Sequence, residues 1–78
     1  MTAAVTLYTK PDCPQCTMTK KQLDRYGIEH QVIDVTVDED AHAYVTGLGY
    51  NAAPVVVIGG GESHWAGFKP DRIKGLIE

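Results

Sequence analysis

Cysteine and the large aromatic residues are scarce in this chain, which holds two cysteines, one tryptophan and one phenylalanine among its 78 residues. Long apolar runs are missing as well, because the longest strongly apolar segment is PVVVI at residues 54–58, far too short to cross a bilayer. The N-terminal segment MTAAVTLYTK has neither a basic start nor a long apolar stretch, so it does not match a signal peptide. We therefore expect a cytoplasmic protein with no membrane partner.

An excess of positive charge is also absent. The net charge is −3, and the seven lysines and arginines are scattered among ten acidic residues. This distribution argues against nucleic acid as a partner, because nucleic acid requires a basic surface. A chain of this size buries only about 60% of its unfolded surface on folding. We therefore expect one small domain over residues 1–78, with a thin core, present as a monomer.

The order of apolar residues and helix breakers predicts the secondary structure. Pro14 suits the first position of a helix, where a missing N–H costs nothing, and Gly27 suits the left-handed position just past its end. A later helix begins either at an N-cap Asp38 or at a capping box formed by Thr36 and Glu39. The predicted elements are a strand at residues 5–9, a helix at 14–26, a strand at 28–35, a helix closed by Gly49, strands at 54–58 and 63–67 joined by a turn at 59–62, and a last helix opened by Pro70.

These elements follow the order β-α-β-α-β-β-α. The first strand, helix and strand predict a parallel pair joined by a right-handed crossover, and the late pair of strands predicts an antiparallel hairpin. The predicted fold class is α/β, a four-stranded mixed sheet flanked by three helices, which is the architecture of the thioredoxin fold. Outside the first strand and helix, we expect the following apolar side chains to face the core: Ile28, Val32, Ile33, Val35, Ala41, Tyr44, Val45, Leu48, Ile73, Leu76 and Ile77.

Two residues separate Cys13 from Cys16, a spacing compatible with half of a zinc site, a structural disulfide or a redox centre. A structural zinc site needs four ligands, whereas His30, His42 and His64 are single and far apart in sequence. A permanent disulfide is rare in the reducing cytosol. The spacing therefore favours a redox-active pair with no metal or other cofactor, although a two-ligand metal site shared across a dimer stays open.

The position of the pair at a helix start predicts different tasks for the two cysteines. If Pro14 is the first helical residue, Cys13 is the N-cap, and its thiolate can accept hydrogen bonds from the amides of Gln15 and Cys16. These bonds and the helix dipole lower the thiol pKa, commonly to about 3.5–7.5 from about 8.5. Cys13 at the exposed end would attack first, and Cys16, on the same helix face, would resolve the mixed disulfide.

Three segments resemble the NrdH-redoxins, a family of glutaredoxin-like hydrogen donors. They are YTKPDCPQC at residues 8–16, GLGYNAAPVVV at residues 47–57 and HWAGFKPDRIKGL at residues 64–76. The resemblance implies a thiol–disulfide redox carrier that is reduced by thioredoxin reductase, through which alone NADPH is used. It also implies transfer of two electrons to the large subunit of class Ib ribonucleotide reductase. Two residues depart from the family pattern, Ala66 in place of serine and Pro14 in place of the commoner valine.

The same resemblance assigns the site residues. Cys13 matches the nucleophile, Cys16 matches the resolving cysteine, and Pro54 matches a cis-proline that faces the disulfide. A cis bond at Ala53–Pro54 would leave the backbone of Ala53 free to pair with a partner chain. Trp65 and Phe68 would form an aromatic docking surface or pack in the core. Apart from the resemblance, the positive charge of Lys10 would stabilise an anion near the thiolate. The full set of expected partner contacts is Lys10, Pro14, Gln15, Ala53, Pro54, Trp65 and Phe68.

Alternative functions remain at this point. A glutathione-dependent glutaredoxin would typically carry Thr-Val-Pro at the cis-proline and a Gly-Gly turn before the last helix. This chain has Ala52-Ala53-Pro54 and Gly67-Phe68 there, which weakens that interpretation. A general protein disulfide reductase remains possible on the same chemistry, and a non-catalytic metal-binding or adaptor domain is the third alternative.

Overall fold

A computed structural model describes residues 4–77 and has the predicted order of elements. Within these residues, no helix is both long enough and apolar enough to span a membrane. The strands are β1 (Val5–Thr9), β2 (Gln31–Asp34), β3 (Val55–Ile58) and β4 (Ser63–Ala66), and the helices are α1 (Pro14–Arg25), α2 (Glu39–Gly47) and α3 (Pro70–Lys74).

The strands form one mixed sheet in the order β2-β1-β3-β4. β1 and β2 are parallel, while β1 and β3, and β3 and β4, are antiparallel, which confirms the predicted crossover pair and hairpin. Tyr8 near the end of β1 and Ala66 at the end of β4 both pair with Val55 at the start of β3. The loops that follow β1, precede β3 and follow β4 therefore meet at one end of the strands.

The sheet is covered on both faces, and the side-chain alternation of β3 divides its residues between them. Val56 belongs to a cluster that contains Leu23 of α1 and Ile73 of α3, whereas Val55 and Val57 pack with Val45 of α2. All four residues of β3 are buried. The apolar run thus forms a central strand, as predicted, although the strand begins at Val55 and not at Pro54.

The second strand is shorter and more exposed than predicted. Ile28 is buried but precedes β2, where its carbonyl oxygen lies 2.8 Å from Nδ1 of His30. Val32 is 46% exposed because β2 is an edge strand, so the prediction that its side chain is buried was wrong. Ile33 and Val35 are half-buried.

Two further apolar residues are less buried than predicted. Ile77 is 50% exposed because α3 ends at Lys74, so the turn that follows does not hold this side chain against the sheet. Tyr44 of α2 is also exposed, with its ring centroid 5.8 Å from that of Tyr8. Leu76, in contrast, packs against the cluster of α1 and α3.

The start of α2 is set by Asp38 and not by the capping box. Oδ1 of Asp38 accepts a hydrogen bond of 3.0 Å from the amide of Ala41, as an N-cap side chain does. The hydroxyl of Thr36 instead donates to the carboxylate of Asp34. Gly27 has a φ angle of 67°, which confirms its predicted left-handed conformation, and Gly49, predicted to close α2, has a φ angle of 96°.

Candidate functional site

The two cysteines lie at the start of α1, where Pro14 is the first helical residue, as predicted. Cys13 is the N-cap and has extended backbone angles. A disulfide joins Cys13 to Cys16, with a Cα–Cα distance of 5.2 Å. Asp12 precedes the pair in the left-handed conformation, with φ of 55°, and aspartate tolerates this region better than most residues. This turn directs the chain from the end of β1 into the helix.

The hydrogen bonds at the helix start distinguish the two sulfur atoms. Sγ of Cys13 accepts a hydrogen bond of 3.2 Å from the amide of Cys16. Among residues 4–77, the amide of Gln15 makes no such bond, so only one of the two predicted donors is in place. Cys16 is 4% exposed, whereas Cys13 is half-buried at the surface end of the helix. An incoming disulfide can therefore approach Cys13 and not Cys16.

Gln15, between the two cysteines, connects the helix start to the segment between β4 and α3. Its side-chain oxygen Oε1 accepts a hydrogen bond of 3.1 Å from the amide of Phe68. Its carbonyl oxygen accepts a 2.8 Å bond from the hydroxyl of Thr19, which is fully buried. Gln15 was predicted as a partner contact, and the structure gives it an internal bond that the sequence did not indicate.

The peptide bond between Ala53 and Pro54 is cis, as the resemblance implied. Pro54 is buried, and its carbonyl oxygen accepts a hydrogen bond of 2.8 Å from the amide of Gly67. Ala53 is half-buried and Ala52 is exposed. The loop before β3 is thus tied to the segment after β4, which also contacts Gln15.

Trp65 does not form the exposed aromatic surface considered above. Its side chain is 4% exposed and packs in the cluster of α1 and α3, because the alternation of β4 turns it to that face. The guanidinium of Arg72 lies 4.9 Å from the centroid of the indole ring and donates a 3.0 Å bond to the hydroxyl of Ser63. Phe68 is half-buried and packs against the same cluster.

Two cavities flank the helix start. One, of about 600 Å³, is lined by both cysteines, Pro14 and Lys10, and by Val32 of the edge strand. The other, of about 700 Å³, is lined by Lys10, the residues of the loop before β3 and side chains of α2. Lys10 is exposed and lines both cavities.

Among residues 4–77, two titratable groups have shifted pKa values. Burial raises the pKa of Tyr8, with smaller contributions from the nearby Tyr44 and the carboxylate of Asp38. Tyr8 lines the cavity of about 700 Å³. A 2.9 Å hydrogen bond from Lys20 lowers the pKa of the exposed Asp24.

Sequence reasoning missed a contact between Tyr50 and His64. The Tyr50 hydroxyl lies 2.7 Å from Nδ1 of His64, and Tyr50 lines the cavity of about 700 Å³. Nothing in the sequence pairs a loop tyrosine with a histidine of a strand fourteen positions later. In the part of the chain described here, no three His, Cys, Asp or Glu side chains cluster as metal ligands would.

The sequence is similar to known proteins over most of its length. The glutaredoxin family model matches residues 5–63. The glutaredoxin-like protein NrdH of Escherichia coli K12 is 35% identical over 72 residues, which cover 92% of this chain and 86% of that protein. The NrdH protein of Salmonella typhimurium is 34% identical over 73 residues, covering 94% and 88%. The gene 56 protein of Mycobacterium phage L5 is 38% identical over 79 residues, covering 97% and 74%.

Solved structures of related proteins are also similar to this chain. The NrdH-redoxin of Escherichia coli, described as a glutaredoxin-like protein with a thioredoxin-like activity profile, has a TM-score of 0.85 and 34% identity, covering 94% of this chain and 93% of that one. The thioredoxin-like protein BC3987 has a TM-score of 0.83 and 32% identity, covering 92% and 97%. The predicted fold and family resemblance are both confirmed.

Proposed function

We propose that this chain, which belongs to the glutaredoxin family, is an NrdH-type electron carrier that is reduced by thioredoxin reductase and reduces class Ib ribonucleotide reductase. The chain is a glutaredoxin-like redox protein. The observation that carries the proposal is the Cys13–Cys16 disulfide at the first turn of α1, in a chain similar to NrdH proteins over more than nine tenths of its length.

The chemistry follows from the different exposure of the two sulfur atoms. In the reduced protein, the Cys13 thiolate attacks one sulfur of the target disulfide, forming a mixed disulfide and releasing the other target sulfur as a thiolate. The amide of Cys16 stabilises the attacking anion through the bond that it makes to Sγ of Cys13. Cys16 then loses its proton and attacks Sγ of Cys13, which closes the Cys13–Cys16 disulfide and releases the second target thiolate. Two electrons have passed to the target, and the carrier is oxidised.

The NADPH-dependent reductase returns the two electrons through the reverse exchange. Its own dithiol forms a mixed disulfide with Cys13 and releases the Cys16 thiol. This chain then needs no cofactor of its own, because the disulfide is the only group that changes oxidation state.

Support for thioredoxin reductase over glutathione comes from the segment between β4 and α3. Phe68 stands at a position where a glutathione-binding relative would typically have glycine. Its amide already donates a hydrogen bond to Oε1 of Gln15. The phenyl ring fills space against the core. A glutathione molecule would have to displace both interactions, whereas a protein docking on Cys13 does not need this amide. Glutathione is the second candidate for the reductant, because the chain belongs to the glutaredoxin family and because Lys10 is exposed.

A coupled assay tests the proposal. The loss of NADPH absorbance is followed with class Ib ribonucleotide reductase as the acceptor, once with thioredoxin reductase and once with glutathione plus glutathione reductase. We expect turnover with thioredoxin reductase and little with glutathione, and Cys13→Ser as the matched control gives none with either. Turnover with glutathione alone would replace the proposal by the glutathione-dependent alternative. Reduction of insulin disulfides without any reduction of ribonucleotide reductase would indicate a general protein disulfide reductase.

A further inference from the structure

The loop that carries the cis-proline, residues 51–54, is held at both ends by β4 and the residue that follows it. At its C-terminal end, the carbonyl oxygen of Pro54 accepts the 2.8 Å bond from Gly67. At its N-terminal end, the preceding residue Tyr50 reaches His64 of β4. Among the hydrogen bonds of residues 4–77, none involves the backbone of Ala52 or Ala53. The position of this free stretch therefore depends on its two ends.

The contact between Tyr50 and His64 is a well-formed side-chain pair. The hydroxyl and Nδ1 are 2.7 Å apart, the ring centroids are 5.5 Å apart, and the rings are nearly perpendicular at 77°. A phenol donates well to an imidazole nitrogen, and perpendicular rings are a favourable aromatic arrangement. Tyr50 also packs on the cluster of Val45, Val55 and Val57, which joins α2 to β3.

The pair lies beside the route to the cysteines. Tyr50 and residues 51–53 form one wall of the cavity of about 700 Å³. Lys10 lines that cavity and also the cavity that contains Cys13 and Cys16. A polypeptide that approaches Cys13 by way of the cavity of about 700 Å³ would pass along the free backbone of Ala52 and Ala53.

We propose that Tyr50 and His64 are positioning residues that hold this loop ready for a protein substrate, an inference that rests on the proposed function. A loop that must be ordered during docking lowers affinity, because its lost freedom opposes binding. A small disulfide that touches only the cysteines does not need the loop. The Tyr50–His64 pair thus favours polypeptide disulfides over small ones and does not act on the thiolate itself.

The test uses the full chain, reduced with dithiothreitol, freed of reductant and mixed with either insulin or the small disulfide dithiobis(2-nitrobenzoate). The readout is the ratio of the two second-order rate constants, insulin over small disulfide. We expect Tyr50→Phe and His64→Leu each to lower this ratio about three- to tenfold, the range that the loss of one net hydrogen bond supports. His64→Asn, which keeps an acceptor, should restore most of the ratio. The double variant Tyr50→Phe/His64→Leu should be no worse than either single one, because both remove the same bond.

Tyr44→Phe is the matched control, since it removes a tyrosine hydroxyl from the same face where the described residues show no hydrogen bond to it. Its ratio should equal that of the wild type. If Tyr50→Phe leaves the ratio unchanged, or slows both substrates equally, the positioning role is overturned while the electron-carrier function stands. If the wild-type chain reduces neither disulfide, the positioning role is overturned, whereas the electron-carrier function is decided by the coupled assay with ribonucleotide reductase.

Discussion

Oε1 of Gln15 accepts a 3.1 Å hydrogen bond from the amide of Phe68, a residue fifty-three positions further along the chain. This bond joins the turn that carries the two cysteines to the segment between β4 and α3. The adjacent Gly67 donates to the carbonyl oxygen of Pro54. One short segment therefore contacts both the disulfide turn and the cis-proline loop, and fixes their relative position.

Replacing Gln15 by alanine should destabilise the oxidised protein by about 0.5–1.5 kcal/mol, the net value of one such hydrogen bond. The measurement is the free energy of unfolding in urea. Gln15→Glu is the control, because its carboxylate keeps an acceptor and a negative charge suits the start of a helix. An equal loss of stability in both variants would mean that the side-chain nitrogen Nε2 of Gln15, and not the bond from Phe68 to Oε1, stabilises the turn.

Replacing Cys16 by serine should trap a mixed disulfide between Cys13 and a target protein. Sγ of Cys13 stays accessible in this variant, and the resolving thiol is absent. The adduct is detected by non-reducing electrophoresis and the bonded cysteine by mass spectrometry of its peptides. Cys13→Ser should form no comparable adduct, because Cys16 is buried. Stable adducts through Cys16 in the Cys13→Ser protein would reverse the assigned order of attack.

Replacing Asp38 by alanine should cost about 0.5–2 kcal/mol of stability, because the amide of Ala41 loses its N-cap acceptor. Asp38→Asn should retain most of the stability, since asparagine caps about as well as aspartate. Urea unfolding at neutral pH measures both. If Glu39→Ala lost more stability than Asp38→Ala, the helix would begin with the capping box of Thr36 and Glu39 and not with an Asp38 N-cap.

Alkaline pH should destabilise the protein through Tyr8. Burial, Tyr44 and Asp38 raise the pKa of this phenol above its unfolded value, so the folded state holds the proton more tightly. The stabilisation is fully present below the unfolded pKa of about 10 and is lost as the pH rises through the folded pKa. Unfolding free energies measured across this range should fall less steeply for Tyr8→Phe. Parallel curves for the two proteins would contradict the raised pKa.

Local features determined what the sequence predicts best. The disulfide turn depends on a proline at the first helical position and on two cysteines three residues apart, so its geometry is set within one helical turn. The parallel pair and the hairpin follow from the order of the elements and the handedness of crossovers. Similarity to a known family supplied the cis bond at Pro54, for which no local pattern is sufficient.

Only the tertiary structure decided which side chains are covered and which distant residues meet. The alternation along β4 fixes that Trp65 and His64 face opposite sides, but not that α1 and α3 bury the indole. Val32 is exposed because β2 is at the edge of the sheet, a position that its own apolar sequence does not encode. The bond of Gln15 to Phe68 joins the first turn of α1 to the segment after β4, and the contact of Tyr50 with His64 joins the segment after α2 to β4. Contacts between residues so far apart depend on packing of the whole sheet, and the sequence by itself gives no period or spacing from which to infer them.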